Sequence, residues 1–336
     1  MHRGSHGGLK KNLNLVGSVS GYGRPAFIHS LQSHFNVIEE EENILLLWAP
    51  KEEISYYVAL DEIEFPIFFT AANKTDEIPD TLGEYLKEDP MMSRMWVGKR
   101  EMERLRKKMV QEHEHLLIPE FTAKRSKHSD VPAKKRPNYD RTVRYWADDG
   151  LEVFRHAKSR YGVLPTNIQF EDPDSFKCQV TQEGVFTSIS NGLEQLSDLI
   201  DNSITRLRFI KDKIDTAEYE DEISARALQD TTFSYSKPWA IDLETRPTPE
   251  DIEHFDGNLL ASNLQFKLLN FDPNKNHRSF DAELMDKENY GRTSLKTKES
   301  SIRIYPNSPS FIDESIRIYN FVDDYIDPNL EAITVA

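Results

Sequence analysis

Cysteine is nearly missing from this chain of 336 residues, which contains one, Cys178. A single cysteine excludes a disulfide within the chain and any zinc site built from several cysteines, so a reducing compartment is the simpler expectation. A lone cysteine of this kind usually behaves as a small apolar residue, and we expect Cys178 to be buried.

Long apolar runs are missing too. No stretch of eighteen apolar residues occurs, and the start MHRGSHGGLKK has no hydrophobic segment behind its charges. The sequence therefore predicts neither a membrane span nor a secretory signal. We expect a cytoplasmic protein, or one held within a virion or another assembly.

Basic residues are scarce relative to acidic ones, and the deficit lies in the second half. Residues 1–150 carry 22 Lys and Arg against 24 Asp and Glu, while residues 151–336 carry 20 against 33, so the net charge of −15 divides into −2 and −13. Such an acidic half repels nucleic acid unless a metal or a local basic patch intervenes. Nucleic acid therefore stays an open question as a partner.

One segment near the start has the order strand, glycine-rich loop, helix. Residues 12–16 alternate polar and apolar side chains, three glycines follow, and Pro25 opens an amphipathic helix. The free N–H groups and positive dipole end of such a helix suit a phosphate or carboxylate. The predicted ligand-binding residues are Gly17, Gly21, Tyr22, Gly23 and Arg24. The alternative is that the glycines only make a tight turn, since a phosphate-loop lysine and a full G-x-G-x-x-G spacing are missing.

Apolar runs separated by helical patterns continue through the first half. Residues 43–48 and 65–70 have the length of strands buried on both faces, residues 55–60 form a shorter candidate, and residues 99–117 have the apolar stripe of a helix. The pattern predicts an α/β domain over residues 1–121.

The order of short motifs in this domain resembles the N-terminal Rossmann-like half of the GT-B glycosyltransferases. The motifs are VGSVSGYGR at 16–24, IFFT followed by DEIPDTLGEYL at 76–86, MWVGKREMERLRKKM at 95–109 and LLIP at 116–119. The resemblance implies a Rossmann-like fold for this domain and a nucleotide sugar as its ligand. It departs at Gly98, where the family's strand end has proline or serine, and nothing downstream matches the family's nucleotide-binding half.

Residues 122–139, TAKRSKHSDVPAKKRPNY, lack periodicity and predict a linker. This segment either grips phosphates or a negatively charged partner, or is a solvated connection. Its six basic residues are Lys124, Arg125, Lys127, Lys134, Lys135 and Arg136.

The remaining residues, 140–336, predict an acidic α+β domain. A helix over 148–161 precedes a β-hairpin turning at residues 182–184, and a long helix follows over 191–214. The pentapeptide SIRIY occurs at 301–305 and again at 315–319, and its alternation predicts two strands of a second hairpin.

A second family resemblance lies in this domain. WAIDLET at 239–245 resembles the first motif of the DEDD exonucleases, and NHRSFD at 276–281 and YNFVD at 319–323 resemble the second and third. The resemblance implies divalent metals about 4 Å apart and phosphodiester hydrolysis. The candidate catalytic residues are Asp242, Glu244, Asp281 and Asp323. The spacings of 39 and 42 residues between the three aspartates are short for that family.

No complete catalytic set emerges, so the sequence favours a non-catalytic interaction or assembly protein, such as a subunit of a viral or phage-like particle. It predicts a protein partner or self-assembly, and neither a cofactor nor a resident metal. A GT-B-like glycosyltransferase using a nucleotide sugar and a metal-dependent DEDD exonuclease are the two alternatives.

Overall fold

The described residues form three antiparallel sheets, of eleven, six and two strands, and eight α-helices; the two-stranded sheet pairs β12 with β13. The computed structural model describes residues 12–127, 129–215, 219–221, 234–236, 238–262, 264–274, 276–288, 290–306, 312–327 and 329–334. The strands are β1 (Leu13–Ser20), β2 (Asn36–Glu40), β3 (Ile44–Ala49), β4 (Ile54–Ala59), β5 (Ile67–Thr70), β6 (Met92–Arg94), β7 (Leu117–Arg125), β8 (Arg141–Trp146), β9 (Leu164–Asp172), β10 (Phe176–Thr181), β11 (Val185–Ser190), β12 (Tyr219–Asp221), β13 (Ser234–Ser236), β14 (Trp239–Asp242), β15 (Phe266–Asn274), β16 (Ser279–Asp286), β17 (Arg292–Lys298), β18 (Ser301–Pro306) and β19 (Glu331–Thr334). The helices are α1 (Arg24–Leu31), α2 (Glu84–Glu88), α3 (Lys99–Glu112), α4 (Gly150–Tyr161), α5 (Leu193–Asp215), α6 (Pro249–Glu253), α7 (Phe255–Ala261) and α8 (Ile312–Tyr325). A π-helical turn at Pro79–Gly83 leads directly into α2.

The larger sheet contains eleven strands. Ten of them follow in the order β2-β3-β4-β5-β1-β11-β10-β9-β7-β8, and each neighbouring pair is antiparallel. The protein is therefore mixed α and β, but this is not the parallel sheet expected of a Rossmann-like domain. The connections explain the difference, because β2 to β5 follow one another through short links, whereas parallel strands need a crossover of a dozen or more residues.

The larger sheet takes strands from both sides of the predicted linker. β1 pairs with β11, and residues 122–125 continue strand β7. Arg125, inside the predicted linker, is buried and donates hydrogen bonds to the carbonyl oxygens of Val131 (2.5 Å), Ser129 (2.9 Å) and Pro137 (3.0 Å). This arginine therefore fixes the loop between β7 and β8 against the sheet.

The smaller main sheet has the order β15-β16-β17-β18-β14-β19. In chain order, β14 to β18 repeat the arrangement of β1 to β5. A first strand is followed by a helical segment and then by a meander of four strands, and the last of these lies beside the first strand. The first SIRIY pentapeptide lies in β18, as predicted. The prediction of a strand for the second pentapeptide is wrong, since it lies within helix α8.

Local predictions in the middle of the chain are confirmed. The hairpin is β10 and β11, and its turn contains Gly184 at a φ of 73°. A Cβ at Gly184 would lie 2.2 Å from the carbonyl oxygen of Met95, so both the backbone angle and the close approach require glycine. The predicted helices correspond to α4 and α5.

Apolar side chains pack against the larger sheet in two cores. The larger core includes Phe121 and Phe186 of the sheet, Phe154 of α4 and Leu199 of α5. A smaller core on the opposite face of β1 to β5 includes Phe27 of α1. Within the described residues, no helix has the length and apolar composition that crossing a membrane requires.

Helix α8 is enclosed on all sides. Every residue of α8 except Asp313 is buried, and the helix lies against β1, β6, α3 and α5. Its Arg317 is 1% exposed and donates hydrogen bonds to Asp313 Oδ2 (2.5 Å), to the Leu264 carbonyl oxygen (2.6 Å) and to the carboxylate of Asp286.

A second group of polar contacts joins α8 to α3 and α5. Asp323 Oδ2 lies 3.3 Å from Arg104 and 3.2 Å from Arg206. Asp324 accepts hydrogen bonds from the backbone N–H groups at the start of α3, those of Lys99 (3.2 Å) and Arg100 (3.1 Å). We call these contacts, together with those of Arg317, the α8 network.

Candidate functional site

One face of the larger sheet is polar where β8, β7, β9 and β10 lie side by side. Phe121, Ile168 and Val180 pack in the larger core. Because successive side chains of a strand point to opposite faces, the residues before and after each of them point to the other face of the sheet. Register then sets these neighbours directly across from one another in a row. The row across the four strands is Arg144, Thr122, Asn167 and Thr181.

A second polar row runs beside the first and continues into β11 and β1. Its members are Glu120, Gln169, Gln179, Thr187 and Asn14. Several of these side chains are fixed by hydrogen bonds: Gln179 donates to Asn167 Oδ1 at 2.9 Å, and Thr187 donates to Asn14 Oδ1 at 2.7 Å. The polar face is therefore held in place before any ligand arrives.

Two adjoining pockets lie along this face, with volumes of about 260 and 210 Å³. The first, which we call the aliphatic pocket, lies beneath the π-helical turn. Its apolar lining residues are Val16, Ile78, Pro79, Leu82, Leu86 and Val185. The second, the polar pocket, is lined by Thr122, Lys124, Arg144, Thr166 and Gln182 together with Trp96. Asn167, Thr181 and Glu183 line both pockets, so the two adjoin, and we call the pair the groove.

Four basic side chains line the groove. Lys74 and Arg94 line the aliphatic pocket, and Lys124 and Arg144 line the polar pocket. Among the described residues, none of these four cations has a carboxylate within ion-pair distance. The carboxylate lining both pockets is that of Glu183, so the groove carries an excess of positive charge in a protein whose net charge is −15.

Among the four groove cations, Lys74 is the one whose pKa burial lowers. Its ammonium group donates a hydrogen bond to Gln179 Oε1. Burial lowers the pKa of Lys74, and the charge of Glu120 on the same face opposes that effect. An amine with a lowered pKa inside a pocket is typical of a functional site.

The π-helical turn shapes the aliphatic pocket. Gly83 ends this turn, and a Cβ there would lie 2.9 Å from Arg94 Nη2. Gly83 therefore allows Arg94 to approach the turn, where its guanidinium lies 3.4 Å from the Gly83 carbonyl oxygen and 5.9 Å from the centre of the Trp96 ring. π-Helical turns occur frequently at functional sites.

The glycine-rich loop predicted to bind a ligand uses its polar groups within the protein. Gly17 lies inside β1, where a Cβ would come within 2.8 Å of the Met95 side chain, and the N–H of Gly21 donates to the Met91 carbonyl oxygen at 2.9 Å. Gly23 precedes α1 with an ordinary φ of −75°. Among the residues that the structure describes, none of the five predicted binding residues lines either pocket of the groove.

The two loop residues with polar side chains, Tyr22 and Arg24, also have hydrogen-bond partners within the protein. The hydroxyl of Tyr22 donates to Asp89 at 2.9 Å, and burial, with the help of Asp89, raises the pKa of Tyr22 to about 12. Arg24 bonds to Glu40 Oε1 (3.3 Å) and to the carbonyl oxygen of Glu41 (2.8 Å). This arginine therefore holds the acidic turn between β2 and β3.

The four candidate catalytic carboxylates do not meet. Asp242 ends β14 and Asp281 lies in β16, with β18 and β17 between them, which places the two strands roughly 14 Å apart. Glu244 accepts a hydrogen bond from Asn329, and Asp323 is buried in the α8 network. Within the described part of the chain, no three His, Cys, Asp or Glu side chains are placed to hold a metal ion.

Cys178 is fully buried in the larger core, as predicted. Burial raises the pKa of its thiol to about 12, so the thiolate needed for nucleophilic or metal chemistry is disfavoured.

The groove residues were missed at the sequence level, except for Lys124, which belongs to the basic run at 122–139. Polar residues at alternate positions of the strands at 117–125, 164–172 and 176–181 carried the available signal. Lys74 and Arg94 lie in loops or short elements far away in sequence, so no local pattern links them to these strands.

Comparison with known proteins finds similarity to one family model and one relative, and no activity. Residues 100–183 match the AF_0896_M family middle domain, a segment that contains Lys124, Arg144, Asn167 and Thr181. Over 316 residues the chain is 25% identical to an uncharacterized protein of Archaeoglobus fulgidus, covering 90% of this chain and 85% of that protein. No solved structure matches the chain.

Proposed function

We propose that this protein is a non-catalytic binding protein that holds a small anionic molecule in the groove. The observation that carries the proposal is the set of four basic side chains, Lys74, Arg94, Lys124 and Arg144, that line the groove without a carboxylate partner among the described residues. Unpaired cations beside low-dielectric walls attract anions more strongly than exposed cations do.

The chemistry of the other groove residues supports binding over catalysis. Asn167, Thr122, Thr166 and Thr181 supply amide and hydroxyl groups that donate and accept hydrogen bonds at fixed positions. Among the described groove residues, we find no nucleophile hydrogen-bonded to a general base, which is the arrangement that covalent catalysis requires.

The two enzymatic alternatives find no support in this geometry. A GT-B-like glycosyltransferase would need the glycine-rich loop to be available for a nucleotide sugar, but its groups are bonded within the protein. A DEDD exonuclease would need Asp242, Asp281 and Asp323 to converge, and they lie in separate elements.

The test is equilibrium binding of phosphate, pyrophosphate and citrate at low ionic strength, comparing the natural protein with Arg144→Gln. Loss of one charge-assisted hydrogen bond costs about 1.5–3 kcal/mol, so we expect affinity to fall about 10- to 100-fold in the variant. The matched control is Arg292→Gln, an exposed strand arginine outside the groove, which should bind normally. Equal affinities for Arg144→Gln and the natural protein would refute the anion site.

A second candidate function is self-association, and one surface favours it. The outer face of β3, β4 and β5 carries Ile44 (47% exposed) and Tyr57 (55% exposed), with Leu46 and Phe69 directly opposite Tyr57 in the neighbouring strands. Contiguous exposed apolar side chains of this kind mark interaction surfaces. Light scattering should give a mass above one chain for the natural protein and a mass of one chain for Ile44→Lys/Tyr57→Lys. A mass of one chain for the natural protein at all concentrations would exclude self-association.

A further inference from the structure

The two halves of the groove differ in chemistry. The aliphatic pocket is walled by six apolar side chains, Val16, Ile78, Pro79, Leu82, Leu86 and Val185. None of its described lining residues is aromatic, so a flat ring would find no stacking partner there. An aliphatic chain matches this pocket better than a ring does.

The polar pocket offers unoccupied hydrogen-bond donors. Neither the Lys124 ammonium nor the Arg144 guanidinium has a hydrogen-bond or ion-pair partner among the described residues. Lys74 and Arg94 differ, because Lys74 donates to Gln179 and Arg94 lies against the Gly83 carbonyl oxygen. The donors available to a ligand are therefore concentrated at Lys124 and Arg144, beside the hydroxyl of Thr122.

The position of Glu183 sets the direction in which a ligand would lie. Glu183 lines both pockets and so lies where they join. A negative charge at the junction would be repelled, and a negative charge at Lys124 and Arg144 would be attracted. Lys74 and Arg94 also attract negative charge, but apolar side chains wall their pocket, and both cations already contact acceptors of the protein. We therefore place the charged end of an anion in the polar pocket and its uncharged end in the aliphatic pocket.

We propose that the ligand is an amphipathic anion, with a carboxylate or phosphate head held by Lys124 and Arg144 and an aliphatic chain in the pocket beneath Pro79–Gly83. This inference rests on the proposed function and narrows it to one chemical class. The polar row of Thr122, Asn167 and Thr181 forms the floor between head and chain. Each methylene that enters the aliphatic pocket leaves water for an apolar wall.

The experiment is a chain-length series measured below the micelle concentration: acetate, hexanoate and decanoate, with decyl phosphate and neutral decan-1-ol in parallel. Burial of one methylene raises affinity about two- to fourfold, so decanoate should bind much more tightly than hexanoate, until the pocket is full. Decan-1-ol should bind more weakly than decanoate to the natural protein. In Arg144→Gln the two compounds should bind with similar affinity. The ratio of decanoate to decyl phosphate affinity identifies the head group.

A variant at the pocket wall tests the position of the chain. Thr75 lines the aliphatic pocket and is exposed, so Thr75→Trp narrows the pocket without disturbing a buried residue, and Thr75→Ser is the matched control. Thr75→Trp should weaken decanoate binding at least tenfold and leave phosphate binding unchanged.

The outcomes separate the two proposals. Equal affinities for acetate and decanoate, both weakened by Arg144→Gln, would overturn the amphipathic ligand and leave the anion site standing. Equal affinities for decanoate and decan-1-ol, both unaffected by Arg144→Gln, would overturn the anionic head. Binding of none of these compounds or of the small anions would overturn both proposals.

Discussion

Arginine and lysine side chains gather in two regions of this protein, and their surroundings differ. In the α8 network, Arg104 and Arg206 lie 3.3 and 3.2 Å from Asp323, and Arg317 is enclosed by Asp286 and Asp313. In the groove, Lys124 and Arg144 line a pocket with no carboxylate partner among the described residues. Both regions use the same residue types.

Solvent access explains the difference. A buried charge is costly unless a partner and hydrogen bonds compensate it, so the buried Arg317 has two carboxylates beside it and the buried Asp323 has two arginines. A cation at the rim of a pocket stays hydrated and can lack a partner without that cost. Paired cations therefore stabilise the fold, and unpaired ones at a concave polar surface are free to hold a ligand. Each of the following predictions tests this distinction.

The largest effect is expected at Arg317. Replacing it with methionine leaves the buried carboxylate of Asp286 without its cation, and breaking a buried pair in this way costs about 3–5 kcal/mol. Urea denaturation should show this loss for Arg317→Met, while Arg144→Met changes the free energy of unfolding by less than about 0.5 kcal/mol. Equal losses for the two variants would remove the distinction between the regions.

The next effect depends on pH and concerns Glu314, beside Arg317 in α8. Burial raises the pKa of Glu314 from 4.5 to about 7, although the hydroxyl of Thr293 donates to its carboxylate. A raised pKa means that the folded state favours the neutral acid, so the contribution of Glu314 to stability is full below pH 4.5 and is lost as the pH rises through about 7.

Glu314→Gln keeps a neutral side chain at every pH. As the pH rises from 5 to 8, the natural protein loses the contribution of Glu314 and the variant does not. The free energy of unfolding of the variant should therefore increase relative to that of the natural protein, by up to roughly 3 kcal/mol. Unfolding free energies at both pH values give the test, and Glu299→Gln, at an exposed carboxylate, supplies the comparison. The same stability difference at pH 5 and pH 8 would contradict the expected titration.

A smaller effect is expected at Asp324, which caps α3 from another helix. Asp324→Ala leaves the N–H groups of Lys99 and Arg100 without their acceptor, and the loss of a helix cap costs about 0.5–2 kcal/mol. Asp324→Asn keeps an acceptor oxygen and should lose less. Thermal unfolding of both variants and of the natural protein measures these losses. If Asp324→Ala is as stable as the natural protein, the cap contributes nothing.

The smallest effect on stability is expected at Lys124, in the groove. Lys124→Met should leave the free energy of unfolding within about 0.5 kcal/mol of its natural value, because no described partner is lost. The same variant should weaken decanoate binding about tenfold or more through the loss of one charge-assisted contact. A loss of stability without a loss of binding would place Lys124 with the structural cations.

Local sequence patterns were reliable where one segment makes its own structure. The hairpin of β10 and β11 followed from its alternation and from Gly184, and α5 followed from its apolar stripe. The order strand, loop, helix at β1 and α1 was also correct, although Gly17 proved to be part of the strand. Each of these features depends on neighbours within a few residues.

The pentapeptide SIRIY shows where local patterns fail. At 301–305 it forms strand β18, between β14 and β17, and at 315–319 the same five residues form part of helix α8. In α8, the apolar residues Ile312, Phe321 and Val322 extend the pattern at helical spacing, and every face of the helix is covered. The residues surrounding the pentapeptide, and not its own composition, decide its conformation.

The sequence by itself determined the burial of Cys178, the main helices and hairpins and the acidic balance of the chain, because these depend on composition or on contacts between near neighbours. Only the tertiary structure decided that the larger sheet is antiparallel and that Lys74, Arg94, Lys124 and Arg144 line one groove. The physical reason is that strand order and register bring together side chains from separate parts of the chain, and no local periodicity encodes which strands become neighbours.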